Sequence, residues 1–231
     1  MALKTIFFDL DHTLWDYDTN ARETLDELYD HFQLDRGFDS AEAFFNTYVE
    51  HNAQLWNLYN HGKINREDIR ERRFFQVLDN VGLGDRELAE SMSDQFMELC
   101  PRKTALIPGT LQVLEALQPD YQLGVITNGF SDTQDIKLTN SRLKEYFHLV
   151  VTSESARSRK PSPEIFHTAL NQSGHQSDEV VMIGDNRATD IAGALAVGWK
   201  TIWYTDEAEA APENCWKVEK LQEIPGVISS L

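Results

Sequence analysis

The chain opens with a short apolar, β-prone run, Ile6-Phe7-Phe8, that stops abruptly on Asp9. Beyond Asp16 the apolar positions take up a helical period: Ala21, Leu25, Leu28 and Phe32 fall at i, i+4, i+7 and i+11. A turn containing Gly37 follows. Ser40 stands where an N-cap belongs, and Phe44, Tyr48, Leu55 and Leu58 mark a second helix ending near Asn60-His61-Gly62. Asn65 opens a third with Ile69, Phe74, Val77 and Leu78, stopped by Gly82 and Gly84. Asp85 caps a fourth with Leu88, Met92, Phe96 and Leu99. Residues 17–103 are therefore expected to form a helical bundle.

From Ile107 the rhythm changes. A short helix carrying Leu111, Leu114 and Leu117 leads to a strand at 123–127. Helices at 133–143, 163–172 and 189–197 then alternate with strands at 149–152, 180–183 and 201–204. Strands alternating with helices of this length specify an α/β fold with a doubly wound, parallel, Rossmann-like sheet. The run before Asp9 belongs with these strands. The expected organisation is a core of residues 1–16 and 104–231, with the bundle of 17–103 inserted as a cap after the first strand. Open α/β sheets bind ligands beyond the carboxyl ends of their strands, so an insertion leaving from that edge is expected to lie over the site as a lid.

Composition narrows the function. With 231 residues, 41% apolar and 10% aromatic, the chain can bury a proper core. A formal charge of -17 argues against a nucleic-acid polymer or an anionic membrane as partner, though not against a small anion held by local positive charge. Cys100 and Cys215 are far apart and imply neither a disulfide scaffold nor a metal site. No leader-like segment precedes the first strand, and no apolar run approaches the roughly 20 residues of a membrane span. A soluble, cytoplasmic protein is expected. The sequence sets no oligomeric state.

The polar residues at the strand ends carry the chemistry. Asp9 and Asp11 follow the first strand, Thr127-Asn128-Gly129 the second, and Gly184-Asp185 the strand at 180–183, with Asp190 on the next helix. Lys160 precedes Pro161 and the helix that Pro163 opens. Read alone, each has an ordinary explanation: Asp11 or Thr13 as a helix cap, Thr-Asn-Gly as a turn, Lys160 as a solvated surface group. Together they supply carboxylates for a hard cation, a hydroxyl and turn amides for phosphate oxygens, and a lysine to balance charge. Mg²⁺ takes oxygen ligands and keeps several waters, and Asp9 and Asp185 are the natural side-chain ligands.

In this order the segments Asp9-Leu10-Asp11-His12-Thr13, Thr127-Asn128-Gly129, Lys160 and Gly184-Asp185 through Asp190 resemble the four motifs of the haloacid dehalogenase superfamily of phosphohydrolases. The resemblance covers essentially the whole chain. It implies a phosphomonoester hydrolase working through an aspartyl-phosphate. Asp9 would be the nucleophile and Asp11 the general acid and base, its backbone carbonyl a further ligand to Mg²⁺. Thr127 and the Asn128 amide would hold phosphate oxygens, and Lys160 would offset charge around Asp9. Asp185 would ligate the metal, with Asp190 orienting waters around it. An acid at position 11 selects oxygen over halide as leaving group. The position between Asp11 and Thr13 is frequently glycine in this superfamily; here it is His12, expected to face solvent.

The insertion resembles the type-one helical cap. Its segment from Leu55 to Ile64, with Arg70 and Arg72-Arg73-Phe74, is similar to YjjG-type pyrimidine 5′-nucleotidases, as is Val125 to Phe130. That likeness implies a pyrimidine nucleoside monophosphate as the small phosphorylated substrate. Trp56 and Tyr59 are candidates to stack on a base and Arg73 to meet an anion or carbonyl, against a role as the cap's own core. Trp15, beside the first motif, is a further candidate contact. Sugar phosphates, phosphoglycolate and pyrophosphate remain alternative substrates, and a phosphosugar mutase shares the same core. A non-enzymatic binding protein would tolerate the loss of a motif, and all four are intact.

Overall fold

Ile6, Phe7 and Phe8 are wholly buried in strand β1 (Thr5–Phe8), at the middle of the sheet. The computed structural model describes residues 2–231 and divides into two compact units, residues up to Tyr17 with Thr104–Leu231, and Asp18–Lys103.

The second unit is built from α1 (Tyr17–His31), α2 (Ala41–Asn60), α3 (Arg66–Asp79) and α4 (Arg86–Leu99). The residues expected as caps act as caps. Ser40 accepts from the Ala43 amide, Asp85 from the Leu88 amide, and Asn65 and Asp68 form a reciprocal capping box. Where α2, α3 and α4 meet, Tyr48, Phe74 and Phe96 pack ring against ring at 5.4 to 5.7 Å.

The first unit continues through α5 (Thr110–Leu117), β2 (Gln122–Thr127), α6 (Ser131–Asn140), β3 (Leu149–Thr152), α7 (Pro163–Ser173), β4 (Val180–Gly184), α8 (Ala192–Ala196), β5 (Lys200–Tyr204), β6 (Cys215–Val218) and α9 (Ile224–Ile228). The strands form one parallel sheet in the order β3-β2-β1-β4-β5-β6. Strand order turns back at β1, which makes the carboxyl edge around β1 and β4 the place for a ligand. Central strands covered on both faces read as continuous apolar runs, and β1 and β4 are buried along their whole lengths. Phe7, Ile126, Val151, Phe166, Met182 and Trp199 belong to one core cluster. Phe8 is in register with Val125 and Ile183, so Asp9 emerges one residue beyond the paired strand. The chain leaves and returns to this unit side by side, Trp15 bridging antiparallel to Leu106.

Two elements depart from the sequence reading. β6 was not expected, and residues 187–191 form a wide π turn ahead of α8, where a regular helix from Thr189 was expected. The Asn186 carbonyl accepts from both the Asp190 and Ile191 amides, and this widens the turn.

His12 is exposed and holds a left-handed φ of 65°. A side chain with Cβ is strained there, and glycine is not. His12→Val is expected to cost about 1–2 kcal/mol of stability relative to His12→Gly. Urea unfolding midpoints measure the difference; equal midpoints would show that the turn bears no such strain.

Candidate active site

Asp9 leaves β1 at the sheet's carboxyl edge and meets Lys160 there. The Lys160 ammonium is 2% exposed and donates to Asp9 Oδ1 at 2.6 Å and the Ile126 carbonyl at 2.8 Å, with Asp190 Oδ1 at 2.7 Å. Three acceptors use its three N–H donors. Burial alone would lower its proton affinity, but Asp190 and Asp9 hold the ammonium well above its ordinary value. The surface explanation for Lys160 therefore fails.

Asn128 fixes where that lysine stands. Its side-chain amide donates to the Lys160 carbonyl at 2.9 Å, and its Oδ1 accepts from the Lys160 amide at 2.7 Å. The end of β2 thus clamps the backbone before α7, a role for the Asn128 side chain that the sequence did not disclose.

Asp185 leaves β4 and is held at three points. Thr13 Oγ1 donates to its Oδ1 at 2.9 Å and accepts from its amide at 3.1 Å, while Trp203 Nε1 donates to its carbonyl at 2.8 Å. Thr13 is thus a tie between two strand ends, and α1 begins only at Tyr17. Asp190 is wholly buried and accepts from the Asn186 amide at 3.1 Å and from Thr189. Its carboxylate lies against Gly184, where a Cβ would meet Oδ2 at 2.2 Å, so only glycine fits at the end of β4.

Oxygens of Asp9, Asp185 and Asp190 all lie within 4.8 Å of one another. Burial, opposed by Lys160 but reinforced by the charges of Asp190 and Asp185, pushes Asp9 up to about 8. Burial and the Asp190 charge push Asp185 up to about 7. One ammonium faces three carboxyls, so the cluster is short of positive charge. Lys160 occupies Asp9 Oδ1 and Thr13 occupies Asp185 Oδ1, which leaves each carboxylate its second oxygen. Hard oxygen donors with an unmet negative charge fit a divalent cation.

Asp11 faces a different environment. Lys137 donates to its Oδ1 at 2.5 Å and Gln134 to its Oδ2 at 2.8 Å. Burial works to raise this carboxyl, but the Lys137 charge, with hydrogen bonds from Lys137 and Gln134, holds it below the ordinary carboxylate range. Gln134 also donates to Thr127 Oγ1 at 2.8 Å, and Thr127 accepts from the Gly129 amide as well. Gln134 and Lys137 were missed by sequence reasoning. Their only signal was spacing: three apart on the helix after Thr-Asn-Gly, they share one face of α6.

The remaining candidates fall into place separately. Trp15 is fully buried with the Lys137 ammonium 4.3 Å from its ring centroid, which leaves it no exposed face for a substrate. Trp56 and Tyr59 meet edge to face at 5.4 Å in α2, and Tyr59 is 5% exposed. Arg73 in α3 is buried, lies over the Phe96 ring at 5.2 Å and donates to Met97 Sδ at 3.4 Å. Among the described residues no carboxylate pairs with it, and its Nε is without a partner.

Residues 6–204 match the model of the haloacid dehalogenase-like hydrolase family. The chain is 31% identical to the pyrimidine 5′-nucleotidase YjjG of Escherichia coli, with 95% of each chain covered. It is 29% identical to the pyrimidine 5′-nucleotidase PynA of Streptococcus pneumoniae, over 88% of this chain and 84% of the relative. Among solved structures, the HAD-hydrolase YfnB of Bacillus subtilis, bound to magnesium, superposes with a TM-score of 0.88 at 24% identity, covering 99% of this chain and all of that one.

Proposed function

This chain belongs to the haloacid dehalogenase-like hydrolases, and on that premise we propose that it hydrolyses pyrimidine nucleoside 5′-monophosphates through a phosphorylated Asp9. It is a phosphatase. The observation that carries the mechanism is the buried Asp9 carboxylate, held at 2.6 Å by Lys160 inside a charge-deficient acidic cluster. A nucleophile needs an ionised oxygen, and Lys160 favours that form while steadying the group.

In the first half-reaction an Asp9 oxygen bonds to phosphorus and the ester P–O bond breaks, with Asp11 giving a proton to the departing oxygen. The negative charge of the arriving phosphoryl group opposes Lys137 and raises the proton affinity of Asp11, which suits the acid role. In the second half-reaction Asp11 takes a proton from water as the water attacks phosphorus, releasing phosphate and restoring Asp9. Thr127 and the Asn128 amide would bind phosphoryl oxygens. Asp9 and Asp185, with the Asp11 carbonyl, would hold Mg²⁺, and Asp190 keeps Lys160 charged. The cation would supply the positive charge that the cluster lacks and that the transferring phosphoryl oxygens need.

The substrate class rests on YjjG and PynA, which match over most of the chain.

A substrate panel at one fixed Mg²⁺ concentration tests the reading. Phosphate release from dUMP or dTMP is expected to exceed that from sugar phosphates, phosphoglycolate and pyrophosphate by at least about ten-fold in kcat/KM. Equal or better turnover of a sugar phosphate would refute the nucleotidase assignment and leave the phosphatase core standing.

A further inference from the structure

Lys137 and Gln134 stand outside the four motifs and yet make the tightest side-chain contacts to Asp11. We propose that they are positioning residues for the reaction, a two-donor clamp that aims the Asp11 carboxylate at the leaving oxygen. This role rests on the function proposed above. Each donor takes a different oxygen of the carboxylate, Lys137 at 2.5 Å and Gln134 at 2.8 Å, so the group is fixed in rotation as well as in place.

The clamp is itself held. Lys137 is only 5% exposed, with its ammonium over the rings of Trp15 at 4.3 Å and Tyr17 at 5.7 Å. Aromatic faces attract a cation without competing for its hydrogen bonds. Gln134 is wholly buried, and the same Nε2 that reaches Asp11 reaches Thr127 Oγ1 at 2.8 Å. One amide therefore sets the spacing between the proposed acid and a proposed phosphate-binding hydroxyl. Gly129 leaves room for it, since a Cβ there would meet Gln134 Nε2 at 2.3 Å. Burying a lysine and a glutamine on one helix face is expensive, and aiming a carboxylate is a use that accounts for both. The clamp also gives Trp15 its work, as the platform under Lys137.

The test compares two phosphate esters in the Mg²⁺-loaded enzyme. The alkoxide leaving group of dUMP needs a proton, whereas p-nitrophenolate leaves well without one. The kcat/KM value covers steps through transfer to Asp9, and its ratio between the two esters does not depend on how much of a preparation is folded. Lys137→Met is expected to lower kcat/KM for dUMP by about 10²-fold. Its loss on p-nitrophenyl phosphate is expected to be at least about ten-fold smaller. Lys137→Arg should restore much of the ratio. In an Asp11→Asn background, Lys137→Met should add little further loss, because both act through one group. Gln134→Ala is expected to shift the ratio in the same direction.

Equal losses on both esters, or additive losses in the Asp11→Asn background, would overturn the positioning role. An Asp9→Asn control separates the two readings. If it abolishes turnover of both esters while Lys137→Met leaves the ratio unmoved, the clamp alone is refuted. If Asp9→Asn retains turnover, the mechanism itself fails and the clamp with it.

Discussion

Asp9→Asn is expected to yield a folded protein that no longer turns over phosphate esters, with a loss of at least about 10⁴-fold. The substitution keeps the shape of the side chain and removes the attacking oxygen's charge. Lys160 stays satisfied, because Asp190 Oδ1 at 2.7 Å and the Ile126 carbonyl at 2.8 Å remain. Folding does not suffer, since one of three carboxyls crowded within 4.8 Å has been neutralised. Burial and neighbouring charge push the Asp9 carboxyl up to about 8. Its ionised form is thus disfavoured by the fold, and the asparagine variant is expected to be more stable than the parent by a margin that grows from about pH 4 and is complete above about pH 8. Loss of function with a gain in stability is the signature of a group kept for chemistry. Phosphate release from dUMP and the thermal midpoint, measured on one sample, check both halves. Retention of more than about 1% of turnover would remove Asp9 from the nucleophile's role.

The residues that the sequence made legible are those tied to strand ends. Ile6-Phe7-Phe8 reads as a buried strand from composition alone, and a carboxylate directly after it has few uses. Thr127 and Asp185 followed by the same logic, because a parallel sheet gathers its carboxyl ends at one edge, whereas Lys160, in the loop before α7, was singled out by its place in the motif order. The caps at Ser40, Asn65 and Asp85 were legible for a more local reason. Each acts within three residues of itself.

Lys137 and Gln134 were not legible, and the physical reason is distance. Their partner Asp11 lies 126 and 123 positions away. In sequence, Ser131-Asp132-Thr133-Gln134-Asp135-Ile136-Lys137 looks like a solvated helix, and no periodicity of apolar residues assigns burial to glutamine or lysine. Asp190 was expected to orient waters around the metal; its direct contact with the Lys160 ammonium was not foreseen. The ion pair depends on the π turn at residues 187–191, which no propensity specifies. β6 escaped because Cys215-Trp216-Lys217-Val218 is a short edge strand, mostly half-buried and carrying a lysine. Trp15 stands beside the nucleophile in sequence, but the chain turns its ring inward under Lys137.

Mg²⁺ is expected to stabilise the protein far more at pH 8.5 than at pH 5.5, and its removal by a chelator to stop turnover. The sign follows from the protons. Asp9 is pushed from an ordinary 3.8 to about 8, and Asp185 from 3.8 to about 7. Between those values the folded chain holds protons that the unfolded chain has released. Stability without the cation therefore falls as pH rises from about 4 to about 8. A divalent cation must displace the same protons, so its affinity climbs over the same interval. Binding to the folded state alone adds about 2.7 kcal/mol when the free ion is at 100 times its dissociation constant, and much less when protons compete. Thermal midpoints with Mg²⁺ and with chelator, taken across this range, give the difference directly. Asp185→Asn should flatten the fall in stability and reduce the Mg²⁺ shift together, because one carboxyl underlies both. A Mg²⁺ shift that is the same at both pH values, or larger in acid, would mean that the cation binds elsewhere and that the crowded carboxyls answer only to Lys160.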